Sequence, residues 1–352
     1  MKSMRPMRFL FLLFILALPS ASFAQENTAQ SVIILSYQRV DEPRYPDTNI
    51  QKDQFINQME TLTSEGYEIV SLDTVYAALN GNGNLPQRAV AITFDGGYKS
   101  VMGIMPYITE HKIPVTIFLA LHPVVQDSPQ FLDERNIKSL RKKKFITFGL
   151  TTHNYARFTG DTVKIKEQIN LSKSAYRKLF DEEPKYFAYP FGEYDNVFKD
   201  IVEQQSFVAA FAQHSSPAYK DSDIYALPRF AMSEAYANLS RFQLIISAEP
   251  LQLEHVTPDN PVLESLTPSF GFTLVKSEDK PNLSCYLSDQ GHLDLIFLDK
   301  KRVEIRPTAP LTQKRVRLNC TSFIDTDGIR SWKWFGRLFT VSSDIMADDL
   351  SS

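Results

Sequence analysis

Cysteine is nearly absent from this 352-residue chain, which has only Cys285 and Cys320, both late. Neither has the spacing of a zinc site, so a cysteine-built metal module is excluded. An excess of either charge is lacking as well. Lys and Arg number 38 against 41 Asp and Glu, a formal net charge of −3. No basic stripe runs along the chain, which argues against nucleic acid as a partner. The short basic run Arg141-Lys142-Lys143-Lys144 reads as a solvated loop. Beyond the first residues no segment is long and apolar enough to be expected to span a membrane. No internal repeat is visible.

What is present begins with an export leader. Lys2, Arg5 and Arg8 form a positive start, residues 9–18 an apolar stretch, and Ser22-Phe23-Ala24 a small-x-small cleavage site. Residues 1–24 are therefore expected to be a signal peptide, because the apolar stretch falls short of the roughly 20 residues that cross a bilayer. The mature protein is expected in a periplasm or outside the cell, with no stable membrane span. An oxidising compartment favours one structural disulfide between Cys285 and Cys320. The content of 43% hydrophobic and 22% charged residues is that of a globular protein, and the length suggests two domains.

Apolar residues 32–35 predict a buried strand, and a helix follows near Asp53 with Phe55, Met59 and Leu62 on one face. Gly66 ends it, residues 67–71 return as a strand, and a helix over 73–79 stops at Gly81-Asn82-Gly83. The apolar run that opens at Ala89 then delivers Asp95 into a glycine turn. A helix over 101–109, strands at 115–120 and 145–149, a helix over 161–180 and a strand at 207–212 complete the series. The stripe of that last helix is read as Ile165, Ile169, Tyr176 and Leu179. Alternating strands and helices predict a parallel sheet, open or barrel-shaped. After about residue 250 the helical period fades, and Pro258, Pro261 and Pro268 recur among short β-rich runs. These runs, at 270–275, 294–298, 303–305, 315–318 and 332–340, predict a small β-sandwich-like module. The expected division is an α/β domain over 25–245, a β-rich domain over 246–345 and a tail over 346–352.

Thr93-Phe94-Asp95-Gly96-Gly97-Tyr98 resembles the T-F-D-D-G-Y motif of polysaccharide deacetylases, the NodB-homology or carbohydrate esterase family 4 group. Tyr37-Gln38-Arg39-Val40 resembles that family's Y-H-x-V start, and Pro114-Val115-Thr116-Ile117-Phe118-Leu119 the strand after its first motif. Phe187-Ala188-Tyr189-Pro190-Phe191-Gly192 resembles its F-A-Y-P-Y-G segment, and Leu227-Pro228-Arg229-Phe230 a late strand of exported bacterial members. The resemblance spans roughly residues 30–240 and implies a distorted (β/α) barrel. It also implies that Asp95 is a general base and that a zinc-like divalent ion is held by a second Asp and by the two imidazoles of an H-S/T-x-x-H motif. Here Gly96 stands at the second Asp and Gln38 at an early His. Within Thr152-His153-Asn154-Tyr155-Ala156-Arg157, His153 fits the first imidazole and Arg157 falls on the second. A shifted alignment instead puts Thr151 and Tyr155 on the two positions and leaves His153 outside. Glycine offers no ligand atom and a guanidinium stays protonated, whereas hydrolytic zinc sites hold three protein ligands and an open position. The ion that the family implies thus lacks its ligand set, and tight zinc binding is not expected.

His214, at the end of the 207–212 strand, is the candidate general acid, and His122 is a further histidine expected near the barrel mouth. Tyr98, Tyr189 and Phe191, with Tyr194, are candidate sugar-binding aromatics. Trp332, Trp334 and Phe335 read as packing within the β-rich module. Two functions are carried forward. One is hydrolysis of the N-acetyl amide of a cell-surface or matrix polysaccharide, an N-acetylhexosamine polymer being the family's usual substrate. The other is a catalytically inactive polysaccharide-binding or assembly protein. Hydrolysis without a metal, by Asp95 and His214, is a third route that forgoes the electrostatic help of an ion.

Overall fold

The computed structural model describes residues 31–158, 160–342 and 344–346. The expected leader, and residues 347–352 of the expected tail, lie outside the described residues.

The strand Ser31–Tyr37 is buried along nearly its whole length. Such a continuous apolar run suits a sheet covered on both faces. It runs parallel to Ala89–Gly96, with Ile33 opposite Val90 and Tyr37 opposite Phe94. The parallel series continues through Val115–Leu119, Ile146–Leu150, Tyr186–Ala188 and Ala209–Phe211. Phe230–Ala231 pairs with the other edge of Ser31–Tyr37, and a bridge from Phe211 to Leu227 draws the two ends of the sheet together. The sheet is thus curled as the sequence predicts, with helices on its outer face.

The helix Lys52–Ser64 buries Phe55, Met59 and Leu62 as expected, and Gln51 and Gln54 close a capping box at its start. In Thr162–Phe180 the inward face is Ile165, Ile169, Ser172, Tyr176 and Phe180. A strict 3.6-residue period carries Phe180 inward and leaves Leu179 at the flank. The helix expected over 101–109 is split into a 3-10 turn, Lys99–Gly103, and the helix Met105–Glu110. Pro106 lacks an N–H and therefore opens a helix more readily than it continues one.

The C-terminal region is a sandwich, as its short β-rich runs imply. One sheet is built around the hairpin Arg315–Thr326 and Ile329–Val341, and the other contains Leu253–Thr257, Phe270–Leu274, Arg302–Ile305 and Leu295–Phe297. Phe270, Phe272, Val303 and Ile305 of one sheet share a core with Leu287, Val316, Leu318 and Phe339 of the other. Cys285 and Cys320 face each other across adjacent strands and form the expected disulfide. The sandwich packs directly on the barrel. Trp334 meets Phe230 edge-on at 5.6 Å, and a Cβ on Gly336 would lie 2.3 Å from the Ser215 carbonyl oxygen. Glycine at 336 is what lets the two backbones approach so closely.

Candidate functional site

The parallel strands deliver their C-terminal ends to one rim, where α/β folds gather functional groups. Asp95 stands there with its side chain 1% exposed, against Arg229 at 0%. Arg229 Nη1 donates to Asp95 Oδ1 at 2.7 Å and Nη2 to Oδ2 at 2.9 Å. Ser36 Oγ and Gln213 Nε2 donate to the same Oδ2 at 3.1 and 3.2 Å. The guanidinium is itself positioned by the Ala212 carbonyl at 2.9 Å and Thr93 Oγ1 at 3.0 Å. A buried ion pair is tolerated only when its remaining hydrogen-bonding capacity is met, and this one meets it from three places in the sheet: Ser36, Thr93 and the Ala212-Gln213 segment. The sequence flags Asp95 but says nothing of its partner. The available signal was an arginine inside an otherwise apolar stretch, Ala226-Leu227-Pro228-Arg229-Phe230.

The structure separates the two alignments of the histidine motif. Tyr155, not His153, turns toward Asp95. Its hydroxyl accepts from Gln38 Nε2 at 2.9 Å, its ring packs on Phe191 at 4.8 Å and stands edge-on to Tyr98 at 6.4 Å. Burial first, then the Asp95 charge, hold its phenol well above the usual tyrosine range. A positive φ of 57° aims it there, a conformation uncommon for a bulky residue. Thr151 is buried beside it in sequence, with its hydroxyl unpaired.

His153 lies elsewhere, in a groove of about 370 Å³ lined with Leu121, Val124, Leu171, Ala175 and Leu179. Its ring is 5.4 Å from that of His122. Burial first, then the His122 charge, lower its pKa below the ordinary 6.5. His153 is thus a lining residue of this side groove, and exposed His122 stands next to it.

A zinc-like ion does not fit what remains. Gly96 adopts φ +89°, and a Cβ there would lie 2.7 Å from the Tyr98 ring, so an Asp would need both a strained backbone and a displaced aromatic. On the shifted alignment the positions of the two imidazoles would be a threonine hydroxyl and a tyrosine already bound to Gln38. Among the described residues no group of three or more His, Cys, Asp or Glu converges as a metal site.

The remaining candidates divide. Tyr98 is nearly buried between Arg39, 3.7 Å above its ring, and Phe131 at 4.7 Å. Phe191 keeps a partly open face, with Arg157 stacked 3.9 Å from its centroid. Tyr189 is fully buried, donates to the Tyr225 carbonyl at 2.8 Å and stacks on Tyr194. It is a core residue and presents no face to a sugar. Trp334 packs on the barrel and donates to Asn319, while Trp332 packs on Phe323, as expected of packing residues.

His214 is also taken up by structure. Its Nδ1 accepts from the Leu338 backbone N–H at 3.0 Å, and Nε2 lies 3.0 Å from the Tyr194 hydroxyl. Burial, followed by the Arg337 and Arg317 charges, pushes its pKa well below 6.5. A neutral ring with both nitrogens engaged has no proton directed at Asp95. Gln213, the preceding residue, is the one that faces it. Arg157 pairs at the rim with Glu193, Nε to Oε2 at 2.7 Å, and Arg315 of the sandwich holds the other Glu193 oxygen at 3.0 Å.

The curled parallel sheet is the architecture of polysaccharide deacetylases, and the comparisons with known proteins agree. Residues 82–210 match the model of the family described as polysaccharide deacetylase. A poly-β-1,6-N-acetyl-D-glucosamine N-deacetylase of Staphylococcus aureus is 22% identical over 199 residues, covering 53% of this chain and 68% of the relative. A putative polysaccharide deacetylase of Bacillus subtilis is 22% identical over 186 residues, 52% of this chain and 66% of the relative. Among solved structures, the deacetylase PplD of Streptococcus pyogenes shares the fold at a TM-score of 0.56 and 19% identity, covering 63% of this chain and 100% of its own. IcaB from Ammonifex degensii does so at 0.56 and 20%, covering 63% and 99%. Over residues 82–210 the chain is similar to the polysaccharide deacetylase family, and its fold is the one those solved deacetylases share.

Proposed function

We propose that this protein is exported to a periplasm or the cell exterior and acts there on an N-acetylated cell-surface or matrix polysaccharide, a polymer of N-acetylhexosamine. The observation that carries this reading is the buried Asp95–Arg229 pair at the strand ends of a deacetylase barrel. Its S. aureus relatives are N-deacetylases of poly-β-1,6-N-acetyl-D-glucosamine. The reaction belonging to that class is hydrolysis of the N-acetyl amide, a non-peptide carbon–nitrogen bond, releasing acetate and leaving a free amine. The leader-like start and the disulfide support export. No helix among the described residues is long and apolar enough to cross a membrane.

A second reading, retention of the polymer without turnover, rests on one set of observations. Gly96, Thr151 and Tyr155 supply no metal-ligating carboxylate or imidazole, and the oxygens of Asp95 already accept from Arg229, Ser36 and Gln213. No catalytic step is drawn through a metal here. Incubation with poly-β-1,6-N-acetylglucosamine, scoring polymer capture and acetate release side by side, tests both readings. Capture of the polymer is expected. Acetate release that disappears in Asp95→Asn while polymer capture persists assigns hydrolysis, and capture without release by the wild type assigns the binding role. Loss of both would remove this polysaccharide as the ligand.

A further inference from the structure

We propose that the seam between barrel and sandwich, where partly exposed Arg315 and Arg317 stand near Arg157 and Arg241, is a subsite for an anionic group on the sugar ligand, a carboxylate or a sulfate ester. The inference rests on the reading above that the ligand is an N-acetylated polysaccharide, and it narrows that ligand to an acidic one.

Arg315 and Arg317 are two residues apart on one strand, so their side chains leave the same face. That face meets the barrel rim. Arg315 Nη2 donates to the Phe191 carbonyl at 2.8 Å and to Gln213 Oε1 at 3.3 Å. Arg317 Nη1 donates to the Gln213 carbonyl at 2.6 Å and to Ser215 Oγ at 3.3 Å. Gln213 is the residue whose amide donates to Asp95. The cationic seam therefore lies one side chain, that of Gln213, away from the buried carboxylate.

The charges there do not balance. Glu193 serves two guanidinium groups at once, those of Arg157 and Arg315. Arg317 is bonded only to neutral oxygens. Arg241 donates to the Tyr236 carbonyl at 3.0 Å and lies 4.7 Å from the centre of that ring. Burial pushes Arg317 down to about 9, and the charges of Arg315 and Arg241 act in the same direction. Burial lowers Arg315 and Arg241 as well. A guanidinium stays protonated in proteins, so the seam holds more cations than the one carboxylate, Glu193, that pairs with them. A planar fork held rigidly and short of carboxylate partners is suited to bidentate capture of a carboxylate or sulfate. Partly open Phe191 and exposed Tyr236 flank it with apolar faces.

The test is calorimetric titration of the full mature protein with three N-acetylated oligosaccharides of equal length: hyaluronan (carboxylate), keratan sulfate (sulfate) and a neutral chito-oligosaccharide. At about 50 mM salt an acidic ligand is expected to bind about tenfold tighter than the neutral one, with the advantage shrinking at about 300 mM. Which acidic ligand gains identifies the anion. Arg317→Gln is expected to erase most of that advantage, read as the ratio of acidic to neutral affinity in the same folded variant, the guanidinium contact being charge-specific. Arg241→Gln carries the same test if Arg317→Gln fails to fold. Equal affinity for acidic and neutral ligands, or an advantage that survives in a folded variant, overturns the inference and leaves the polysaccharide reading intact. Failure of all three to bind removes that reading and this inference with it.

Discussion

At the scale of single residues, Asp95 is defined by what surrounds it. Two guanidinium nitrogens, a serine hydroxyl and a glutamine amide converge on one carboxylate that water does not reach. Removing one charge of such a pair leaves the other stranded. Asp95→Asn and Arg229→Met are each expected to cost about 3–5 kcal/mol of stability, read as a lowered urea midpoint. An effect below about 1 kcal/mol would mean that the pair is solvated, as at a protein surface. Position 96 shows the same dependence on its surroundings. Gly96→Asp alone is expected to destabilise the protein and to gain no zinc affinity, because Thr151 and Tyr155 remain non-ligands. Only Gly96→Asp combined with Thr151→His and Tyr155→His rebuilds a three-ligand set. Zinc titration of the single and triple variants checks this, and tight binding by Gly96→Asp alone would contradict it.

At the scale of elements, the regular parts of the fold were legible and the turns that aim side chains were not. Runs such as Val32-Ile33-Ile34-Leu35, and the Phe55, Met59, Leu62 spacing, announce strand and helix because burial imposes their periods. Asp95 was legible because a strand must end where its glycines turn. Tyr155 was left between two alignments, since nothing local marks a positive φ at a tyrosine. Gln213 and His214 show how much one position matters at a strand end: successive side chains point to opposite sides, and the sequence favoured the more reactive neighbour. Arg229 is 134 residues from its partner, and pairing over that distance leaves no periodic trace. The disulfide was legible from composition and compartment alone. It closes a sequence separation of 35 residues, and Cys285→Ala with Cys320→Ala is expected to lower stability by about 3–4 kcal/mol in chemical denaturation. No measurable change would mean that the sandwich stands without it.

At the scale of the whole molecule, the sandwich is part of the site's construction. Its strands supply Arg315 and Arg317 to the rim, the Leu338 N–H to His214, and a glycine at the point of closest approach. Gly336→Ala is expected to push Ser215 and its neighbours away, and to lower the melting temperature by several degrees for about 1–3 kcal/mol. The seam also carries a pH dependence. The folded state holds His214 neutral, with a pKa depressed below 6.5, so below the unfolded value the unfolded chain binds more protons. Stability is then complete above about pH 6.5 and falls as pH drops, by up to about 1.4 kcal/mol per unit for this one group. His214→Gln is expected to flatten that slope, leaving the smaller contribution that depressed His153 makes in the same direction. Parallel slopes for wild type and variant would place the sensitivity elsewhere.

On the shifted alignment we propose that Gly96, Thr151 and Tyr155 occupy the positions where the family holds its metal ligands. The most direct test is zinc stoichiometry, by elemental analysis and calorimetric titration of chelator-treated protein at neutral pH. Metal-free protein with no saturable zinc binding is the expected result. One tightly bound zinc per chain, lost in Asp95→Asn or Tyr155→Phe, would contradict the account.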